Sequence, residues 1–476
     1  MQMITLSDIL EALTGKRLAS AETLTLSEAA IDSRQVLPGG MFFALPGERT
    51  DGHDFVGQAF ERGALLAFVQ REVAVPRPAL DLTSGSIELE TPLPTPPFMI
   101  RVSDTLRALQ EIARFWRRKF SPRVIGITGS VGKSTTKEVV AEVLSQRYRT
   151  LKNPGNLNNE IGLPLTLLRL GAGYECVVLE MGFYVPGEIA FLCELAQPQI
   201  GIITNIGTVH AERAGSQEAI ARGKSELVQA LPPAPNGIAI LNYDDPWVRW
   251  MANKTHARIF YYGLNPEADL WADEIESQGL KGLRFRLHFG HEILHLRVPM
   301  LGRHAVQTAL RAAAAGLVCG LSWQEIVQGL QQARNQLRLV AVRLPNGALV
   351  LDDSYNAAPE SMLAALNLLN EIEGRKIAVL GDMLELGPYE SEGHRLVGLR
   401  AAEVADHLVT LGTRARTIAE AAVKAGLPAA QVTHVEDVSQ AVEVLRHLLK
   451  EGDVVLVKGS HGLRMDRIVA ALEETA

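Results

Sequence analysis

The sequence predicts an α/β protein built of three domains, and three observations support this prediction. Its 476 residues are too many for a single hydrophobic core. Short, continuously apolar segments alternate with helical patterns, which is typical of parallel sheets covered by helices on both faces. A polar connector, Arg334-Asn335-Gln336, separates two such blocks and is interpreted as a hinge. The predicted domains comprise residues 1–104, 105–333 and 334–476.

The first domain is predicted to be small and of the α/β type. Residues 39–45 indicate a turn followed by a buried strand, and residues 98–102 indicate a returning strand. Between them, residues 73–97 are rich in Pro, Thr, Ser and Leu, show little periodicity, and are predicted to form a surface loop. Residues 105–120 place their apolar side chains on one stripe, which predicts an amphipathic helix that opens the second domain.

The second domain is predicted to hold a mainly parallel sheet, and the third a Rossmann-like α/β sheet. Their strands are expected to be short and apolar, because parallel strands are buried on both faces. The strands predicted for the second domain are residues 124–127, 176–179 and 200–203. Those predicted for the third domain are residues 349–351, 377–380, 407–411 and 454–457.

Composition and charge exclude several classes of protein. With 47% hydrophobic and 21% charged residues the chain resembles an ordinary soluble protein, and its net charge of -7 argues against nucleic-acid binding. The three cysteines are scattered and lack CxxC spacing, so neither a disulfide framework nor a zinc site is expected. No signal peptide and no apolar run of roughly 20 residues is evident, which predicts a cytoplasmic protein without a membrane span.

The sharpest chemical feature is the segment GITGSVGKSTT at residues 126–136, between a predicted strand and a predicted helix. Glycines allow backbone N–H groups to face phosphate oxygens, and a helix N-terminus adds positive potential. Lys133 is predicted to reach the β- and γ-phosphates, and the Ser134 hydroxyl to bind Mg²⁺. The alternative is a Gly- and Ser-rich loop that carries a lysine by chance.

This loop is shorter than the general nucleotide-binding pattern. Ile127 stands where that pattern has a glycine, five positions before Gly132, and the glycine upstream is Gly129 instead. The strand, the GKST core and the helix together still predict a nucleoside triphosphate site. The residues predicted to bind ATP here are Gly129, Ser130, Val131, Gly132, Lys133, Ser134 and Thr135.

Polar residues also follow two of the predicted strands, and ligands of open parallel sheets bind at the carboxyl ends of strands. Glu180 follows the strand at 176–179, and His210 ends the segment after the strand at 200–203. A carboxylate suits Mg²⁺, whereas histidine is a less usual ligand for it. Taken alone, Glu180 could cap a helix, His210 could be a hydrogen-bonded structural histidine, and Lys224 is most simply a solvated lysine.

In combination these segments resemble the Mur ligase family over nearly the whole chain. The central ATPase of that family is matched by TGSVGKS (128–134), EMG (180–182) and TNIGTVH (204–210). Its D-alanyl-D-alanine-adding member is matched by NPGNLNNEIGLP (153–164), DSYNAAP (353–359), LGDMLELG (380–387) and VKGS (457–460). Its UDP-sugar-binding region is matched by DSR (32–34) and DGHDF (51–55).

The resemblance implies an ATP-dependent amide-bond ligase that uses ATP and Mg²⁺. It would join D-alanyl-D-alanine to the terminal carboxylate of UDP-N-acetylmuramoyl-tripeptide through an acyl-phosphate, in the synthesis of peptidoglycan precursors. The first domain would bind the UDP-muramoyl peptide, the central P-loop domain would bind ATP, and closure of the third about residues 334–338 would shield the acyl-phosphate from water. The partners would be these two substrates, with no nucleic acid, and the chain is expected to be a monomer.

The resemblance also implies residue roles. The catalytic residues would be Lys133, Lys224, His210, Asn158 and Asn159. The metal ligands would be Ser134, Glu180, His210 and, if carbamylated, Lys224. Arg338 and Asp353 would contact the nucleotide from the third domain, and the substrate-binding residues would be Ser33, Arg34 and Asn356.

The sequence departs from the family at a few positions. The family usually has Gly-x-His-Asn-x-x-Asn-Ala, with one asparagine that commonly recognises adenine, and here Ala305 and Thr308 replace both asparagines. His461 stands where an arginine is expected, and Ala358 where an asparagine is usual. Other Mur-type or folylpolyglutamate-type amide ligases, a P-loop kinase or GTPase, and a non-catalytic nucleotide-binding relative are the alternatives. A kinase or GTPase would need a base-specificity motif such as Asn-Lys-x-Asp, and none is evident.

Overall fold

The computed structural model describes residues 3–47, 50–84, 93–208, 212, 215–333 and 340–473. Its strands and helices alternate, which confirms the predicted α/β fold class. The chain forms two compact units, the first made of residues 1–126, 148–182 and 188–199, and the second of residues 127–147, 183–187 and 200–476. The finer division at residues 104 and 333 stays a prediction. Within the described residues, no helix combines the length and apolar character needed to cross a bilayer.

The strands are numbered in chain order. They are β1 (Ile4–Thr5), β2 (Thr25–Leu26), β3 (Ala29–Ala30), β4 (Met41–Phe43), β5 (Leu66–Val69), β6 (Ala79–Asp81), β7 (Phe98–Arg101), β8 (Arg123–Thr128), β9 (Thr150–Lys152), β10 (Cys176–Glu180), β11 (Ile200–Ile203), β12 (Ile238–Asn242), β13 (Arg258–Gly263), β14 (Leu270–Ser277), β15 (Leu283–Phe289), β16 (Glu292–Val298), β17 (Val340–Arg343), β18 (Leu349–Asp352), β19 (Lys376–Gly381), β20 (His407–Leu411), β21 (Val432–Val435) and β22 (Val454–Lys458).

The α-helices are numbered in the same way. They are α1 (Leu6–Thr14), α2 (Val56–Glu61), α3 (Thr105–Arg118), α4 (Lys133–Leu144), α5 (Gly162–Leu168), α6 (Glu188–Ala196), α7 (Gln217–Gln229), α8 (Pro246–Trp250), α9 (Ala305–Val318), α10 (Trp323–Gln332), α11 (Pro359–Glu371), α12 (Glu390–Val404), α13 (Arg416–Lys424), α14 (Val438–Leu448) and α15 (Asp466–Glu473).

In the first unit, a parallel sheet has the strand order β3-β4-β5-β7-β6. Phe43 and Phe68 from adjacent strands are buried and stack with their ring centroids 4.2 Å apart, so apolar contacts between strands help to hold this sheet together. The predicted helix at 105–120 is confirmed as α3, which begins after Asp104, whose carboxylate accepts a hydrogen bond from the Arg107 backbone N–H. The second parallel pair of this unit joins β9 and β10.

The prediction of a surface loop at residues 73–97 was wrong in one respect. Residues Ala79–Asp81 form the edge strand β6, which pairs with β7 in parallel register. Two of these three residues are exposed, and the strand is too short for a hydrophobic pattern to predict it from the sequence. Backbone pairing with β7, rather than burial of side chains, holds the strand in place. Residues 85–92 of the same stretch lie outside the described residues.

In the second unit, one sheet continues in the order β16-β15-β14-β13-β12-β11. Strands β11 to β14 pair in parallel, as predicted for this region, whereas β14, β15 and β16 pair antiparallel. The sequence interpretation did not anticipate this antiparallel extension. From its third residue, β16 alternates between exposed and less exposed residues, which is the pattern of a sheet with one face in water.

The C-terminal sheet of the second unit has the strand order β17-β18-β22-β19-β20-β21, parallel except for the β17–β18 pair. Along β18, Leu349 and Leu351 belong to one hydrophobic core, and Val350 belongs to another. Helices α11, α12 and α13 contribute to the first core, and α14 and α15 to the second. Helices therefore cover both faces, and the predicted Rossmann-like arrangement of strands and helices is confirmed.

Candidate active site

The loop after β8 requires a glycine at its first position. Gly129 has a φ of +145°, and a Cβ atom built there would lie 1.8 Å from Thr204 Oγ1. The Thr204 hydroxyl is fixed in this place because it donates a hydrogen bond to the Val131 carbonyl, 2.7 Å away. Gly129 therefore supplies both a backbone conformation and a close approach that other residues do not allow.

The segment after β11 holds this loop from one side. Asn205 Oδ1 accepts a hydrogen bond from the Val131 N–H at 3.0 Å, and its Nδ2 donates to the Val131 carbonyl at 3.1 Å. The Ser130 N–H donates to the Asn205 carbonyl, while the Ser130 hydroxyl accepts from the Gly207 N–H at 2.9 Å. The TNIG motif (204–207) therefore has a structural role. It fixes the shape of the loop at residues 129–132, which we call the phosphate-type loop.

Positive charge gathers where α4 begins. Gly132 precedes the helix with a φ of +83°, and the helix starts at Lys133. Lys133 Nζ folds back over the loop and donates to the Gly129 carbonyl at 2.8 Å and to the Ser130 carbonyl at 3.2 Å. The first N–H groups of a helix have no partner within the helix and carry a partial positive charge. This arrangement can bind phosphate groups.

Lys224 lies in the same loop environment, although taken alone it was most simply interpreted as a solvated lysine. That interpretation was wrong, because its side chain on α7 is 0% exposed and its Nζ donates to the Gly129 carbonyl at 3.0 Å. The ammonium group also lies 4.8 Å from the centroid of the Phe183 ring. The ring fits there because residue 223 is glycine, since a Cβ at Gly223 would lie 2.0 Å from the ring.

In the first unit, Glu180 and Asn158 are brought together. Glu180 is buried at the carboxyl end of β10, and its Oε1 accepts a hydrogen bond from Asn158 Nδ2 at 2.8 Å. The buried Asn153 amide fixes the backbone at Glu180, accepting from its N–H at 2.9 Å and donating to its carbonyl at 3.1 Å. The Asn-rich segment therefore positions the carboxylate predicted to bind metal.

Asn159 has a local structural role in the same segment. Its Oδ1 accepts hydrogen bonds from the N–H groups of Gly162 at 2.9 Å and of Ile161 at 3.3 Å. These contacts satisfy two backbone N–H groups at the start of α5. Its catalytic role stays a prediction.

Two residues, each taken within its own unit, carry oxygen donors of the kind that suits a magnesium ion. Ser134, directly after Lys133 on α4, offers a buried hydroxyl, and Thr135 is half-buried beside it. Glu180 offers a buried carboxylate held by an amide. Hard oxygen donors of this kind are those that Mg²⁺ prefers, and it usually takes only a few of them from the protein. His210 lies outside the described residues.

In the third predicted domain, Asp353 and Lys458 meet at the carboxyl ends of β18 and β22. Lys458 is buried, and its Nζ donates to Asp353 Oδ2 at 2.7 Å and to the Asn356 carbonyl at 2.8 Å. The side chain of Asn356 is exposed, with its Oδ1 accepting from the next backbone N–H. The VKGS motif contains Lys458, but sequence reasoning predicted no role for it. Arg338 lies outside the described residues.

His304, directly before α9, interacts electrostatically with this ion pair and with Arg311. Crowding by protein atoms lowers the pKa of His304 although solvent still reaches the residue. The Asp353 carboxylate opposes this shift, while the charges of Lys458 and Arg311 add to it. Sequence reasoning missed Arg311, which is buried beside the phosphate-type loop, because a single charged residue in an apolar helix gives no indication of what it faces.

The predicted substrate residues of the first unit differ in accessibility. Ser33 is buried, and its hydroxyl donates to Gln58 Oε1 at 2.5 Å. Arg34 extends an exposed side chain that pairs with Asp32 at 2.8 Å, which lowers the pKa of the Asp32 carboxyl. Arg34 is thus the more accessible of the two for a charged substrate group.

The DGHDF segment is held together by its histidine. The Asp51 carboxylate lies 2.6 Å from His53 Nδ1, and His53 Nε2 accepts from the Gln70 N–H at 3.0 Å. Since Nε2 accepts, we assign the ring proton to Nδ1. Hydrogen bonds from the His53 backbone and ring lower the pKa of Asp51 to about 2. This histidine fastens the loop to the end of β5, so its place in the motif has a structural reason.

Comparison with protein families places matches along most of the chain. The Mur ligase family catalytic domain matches residues 26–117, the Mur ligase middle domain residues 127–316, and the glutamate ligase domain of Mur ligases residues 337–461. The UDP-N-acetylmuramoyl-tripeptide–D-alanyl-D-alanine ligase of Bacillus subtilis is 36% identical over 95% of this chain and 94% of its own length.

Solved structures give the same picture. The crystal structure of MurF from Acinetobacter baumannii superposes with a TM-score of 0.83 at 30% identity, covering 100% of both chains. MurF ligase from Thermotoga maritima, solved in complex with ADP, superposes with a TM-score of 0.77 at 27% identity, covering 94% of this chain and 97% of its own. These similarities extend over all of the regions that carry the candidate site.

Proposed function

The chain belongs to the Mur ligase family, and from this premise we propose which of its residues carry out the reaction. It is an ATP-dependent amide ligase that joins D-alanyl-D-alanine to UDP-N-acetylmuramoyl-tripeptide in peptidoglycan precursor synthesis. The observation that carries the residue assignment is the loop at 129–132, where two lysines and the start of α4 concentrate positive charge. Such a place suits the phosphates of ATP.

The reaction requires an activated carboxylate. A carboxylate oxygen of the tripeptide attacks the γ-phosphorus of ATP, ADP leaves, and an acyl-phosphate forms. The amine of D-alanyl-D-alanine then attacks the acyl carbon, inorganic phosphate leaves, and the amine gives up a proton. The first step brings two anions together, so its barrier falls when cations are fixed around the transferring phosphoryl group.

Lys133 is proposed to move from the loop carbonyls onto the β- and γ-phosphates. Ser134, Glu180 and His210 are proposed to hold Mg²⁺, with Lys224 as an additional ligand in carbamylated form. When bound, the metal neutralises charge on the phosphate oxygens. Asn158 keeps the Glu180 carboxylate in one orientation.

The catalytic role proposed for Asn158 and Asn159 is to lie near the acyl-phosphate. Two residues of the region 334–476, Asp353 and Arg338, are proposed to bind the nucleotide. The ion pair with Lys458 holds Asp353 in place. Closure of that region about residues 334–338, which lie outside the described residues, is proposed to keep water from the acyl-phosphate.

The remaining proposals concern the acceptor and the setting. Ser33 and Arg34 in residues 1–104 are proposed to contact the uridine nucleotide, and Asn356 is proposed as a further substrate-binding residue. Residues 105–333 are assigned to ATP binding. The proposal includes action in the cytoplasm, where ATP and a nucleotide-linked acceptor are available, and a monomeric chain.

Phosphate release measured with ATP and Mg²⁺ tests this function. Release should require UDP-muramoyl tripeptide and D-alanyl-D-alanine together, and Lys133→Ala should lower its rate on the order of 100- to 1,000-fold. Lys254→Ala, which removes an exposed lysine, should leave the rate unchanged. Release with UDP-muramoyl dipeptide and a single diamino acid, but not with the tripeptide pair, would contradict the assigned substrates.

A further inference from the structure

Arg311 is a buried cation in an otherwise apolar stretch of α9. Only 4% of the residue is exposed, and the four alanines that follow it on the helix are fully buried. Its Nη2 donates to Thr308 Oγ1 at 2.8 Å, and its Nη1 lies 3.5 Å from the Tyr262 hydroxyl. Among the residues that the structure describes, Nε has no hydrogen-bond partner and no carboxylate forms an ion pair with the guanidinium.

Two acidic residues that act electrostatically on Tyr262, the neighbour of Arg311, are already engaged. Asp245 accepts hydrogen bonds from the backbone N–H groups of Ile206, Trp247 and Val248. Asp244 accepts from the backbone at Leu264 and Asn265, and from Gln307 Nε2 at 2.8 Å. Neither neutralises Arg311 through a direct contact, and a guanidinium buried without a counter-charge is costly to maintain.

The guanidinium faces the phosphate-type loop. Arg311 Nη2 lies 3.3 Å from the position that a Cβ atom would occupy on Gly132, the residue directly before α4. The Tyr262 hydroxyl beside it shares its one hydrogen between the Ile203 and Thr204 carbonyls, each 3.0 Å away, so it holds the arginine at the carboxyl end of β11. A cation with donors to spare therefore stands next to the helix N-terminus that would take a phosphate.

We propose that Arg311 is a further nucleotide-binding residue, whose guanidinium binds the phosphate chain at the start of α4. Nε and Nη2 supply the donors, since Nη2 keeps a second hydrogen beside the one given to Thr308, and the Nε–Nη2 edge of the guanidinium is a fork that matches the spacing of two phosphate oxygens. The bound phosphate would neutralise the guanidinium of Arg311, which forms no ion pair with the described residues. This inference rests on the proposed ATP site and adds a residue that neither the loop motif nor the resemblance assigns.

Binding measurements on the full-length chain test the proposal. ADP, tripolyphosphate and adenosine would be titrated into the wild type, Arg311→Gln and Arg311→Lys. Arg311→Gln should weaken ADP and tripolyphosphate by the same factor, on the order of 10- to 100-fold, and leave adenosine unchanged. The affinity of Arg311→Lys for ADP and tripolyphosphate should lie between those of the wild type and Arg311→Gln, because lysine keeps the positive charge but cannot donate two parallel hydrogen bonds. Arg303→Gln is the control, since Arg303 is exposed and donates to the Ile275 carbonyl.

Each contrary result has a definite meaning. Unchanged ADP affinity in Arg311→Gln would overturn the proposal, and so would a loss confined to adenosine, which would indicate a contact with the base. If Arg311→Gln does not fold, Arg311→Met replaces it, because methionine fills the volume without a buried donor. A wild type that binds neither ADP nor tripolyphosphate would overturn the proposed function itself, and this inference with it.

Discussion

The ammonium groups of Lys133 and Lys224 donate hydrogen bonds to one oxygen, the backbone carbonyl of Gly129, at 2.8 and 3.0 Å. The distance between the two nitrogens therefore cannot exceed the sum of these two hydrogen-bond lengths. Like charges this close repel each other, and the repulsion is stronger in a buried setting than in water. Binding of phosphate relieves it, and so does conversion of Lys224 into a carbamate.

Carbamylation of Lys224 predicts that the ligase rate depends on dissolved carbon dioxide. Depleting carbon dioxide from the buffer should lower the wild-type rate, and adding bicarbonate should restore it, because a carbamate forms reversibly on a neutral amine. Lys224→Arg, which keeps the positive charge, should lose activity on the order of 100-fold or more, whereas Lys224→Glu should retain more. Lys254→Arg controls for lysine replacement in general. A rate independent of bicarbonate, with an active arginine variant, would contradict the carbamate.

The close approach of Gly129 to Thr204 predicts a large effect of one methyl group. In Gly129→Ala the new Cβ would lie 1.8 Å from Thr204 Oγ1, at a φ of +145°. We expect a loss of more than about 2 kcal/mol of unfolding free energy and of ATP-dependent turnover, since both strain and a clash are introduced. Urea unfolding and phosphate release measure these effects.

A second glycine separates the clash from backbone strain. Gly215 has a φ of +88° with nothing within 4 Å of its Cβ position. Gly215→Ala should therefore cost only about 1 kcal/mol, from the conformation alone. Equal losses in the two variants would show that the contact with Thr204 is unimportant.

Local chemistry in the sequence was sufficient to predict the phosphate-type loop. The glycines, Lys133 and the helix that follows are contiguous, so their spacing alone indicates the structure. Lys224 could not be predicted in this way, because its burial depends on Phe183, which packs against Gly223 from a distant part of the chain. The loop and the resemblance suggested its role, but its environment needed the tertiary structure.

The same limit explains the fold elements that were missed. Apolar strands such as β11 and β20 match the predicted residues, because burial on both faces leaves a continuous hydrophobic run. The edge strand β6 and the antiparallel β16 lack such runs, since part of each faces water. Arg311 gave no signal at all, because one charge in a helix is as compatible with a solvated surface as with a buried site.

The contact between Asn158 and Glu180 leads to a prediction about the magnesium dependence of the reaction. Its amide donates to Glu180 Oε1 at 2.8 Å and so orients the proposed metal ligand. Asn158→Ala should raise the Mg²⁺ concentration needed for half-maximal rate on the order of 10-fold, with little change in melting temperature. Asn156→Ala, at an exposed neighbouring position, is the matched control. A lower rate with an unchanged Mg²⁺ dependence would mean that Asn158 does not act through Glu180.

The buried ring of His394 leads to a prediction of how the melting temperature changes with pH. The ring is buried, Nε2 accepts from the Met383 N–H at 3.0 Å, and the ring lies 2.7 Å from the Glu390 carbonyl through Nδ1, so the folded state needs the neutral form. Burial lowers the pKa of His394, so its contribution is complete above the unfolded pKa of about 6.5 and is lost as pH falls below it. The melting temperature of the wild type should fall between about pH 7.5 and about pH 5.5 more steeply than that of His394→Gln. His291→Gln, at an exposed position, should keep the wild-type slope, and equal slopes in all three proteins would refute this role of His394.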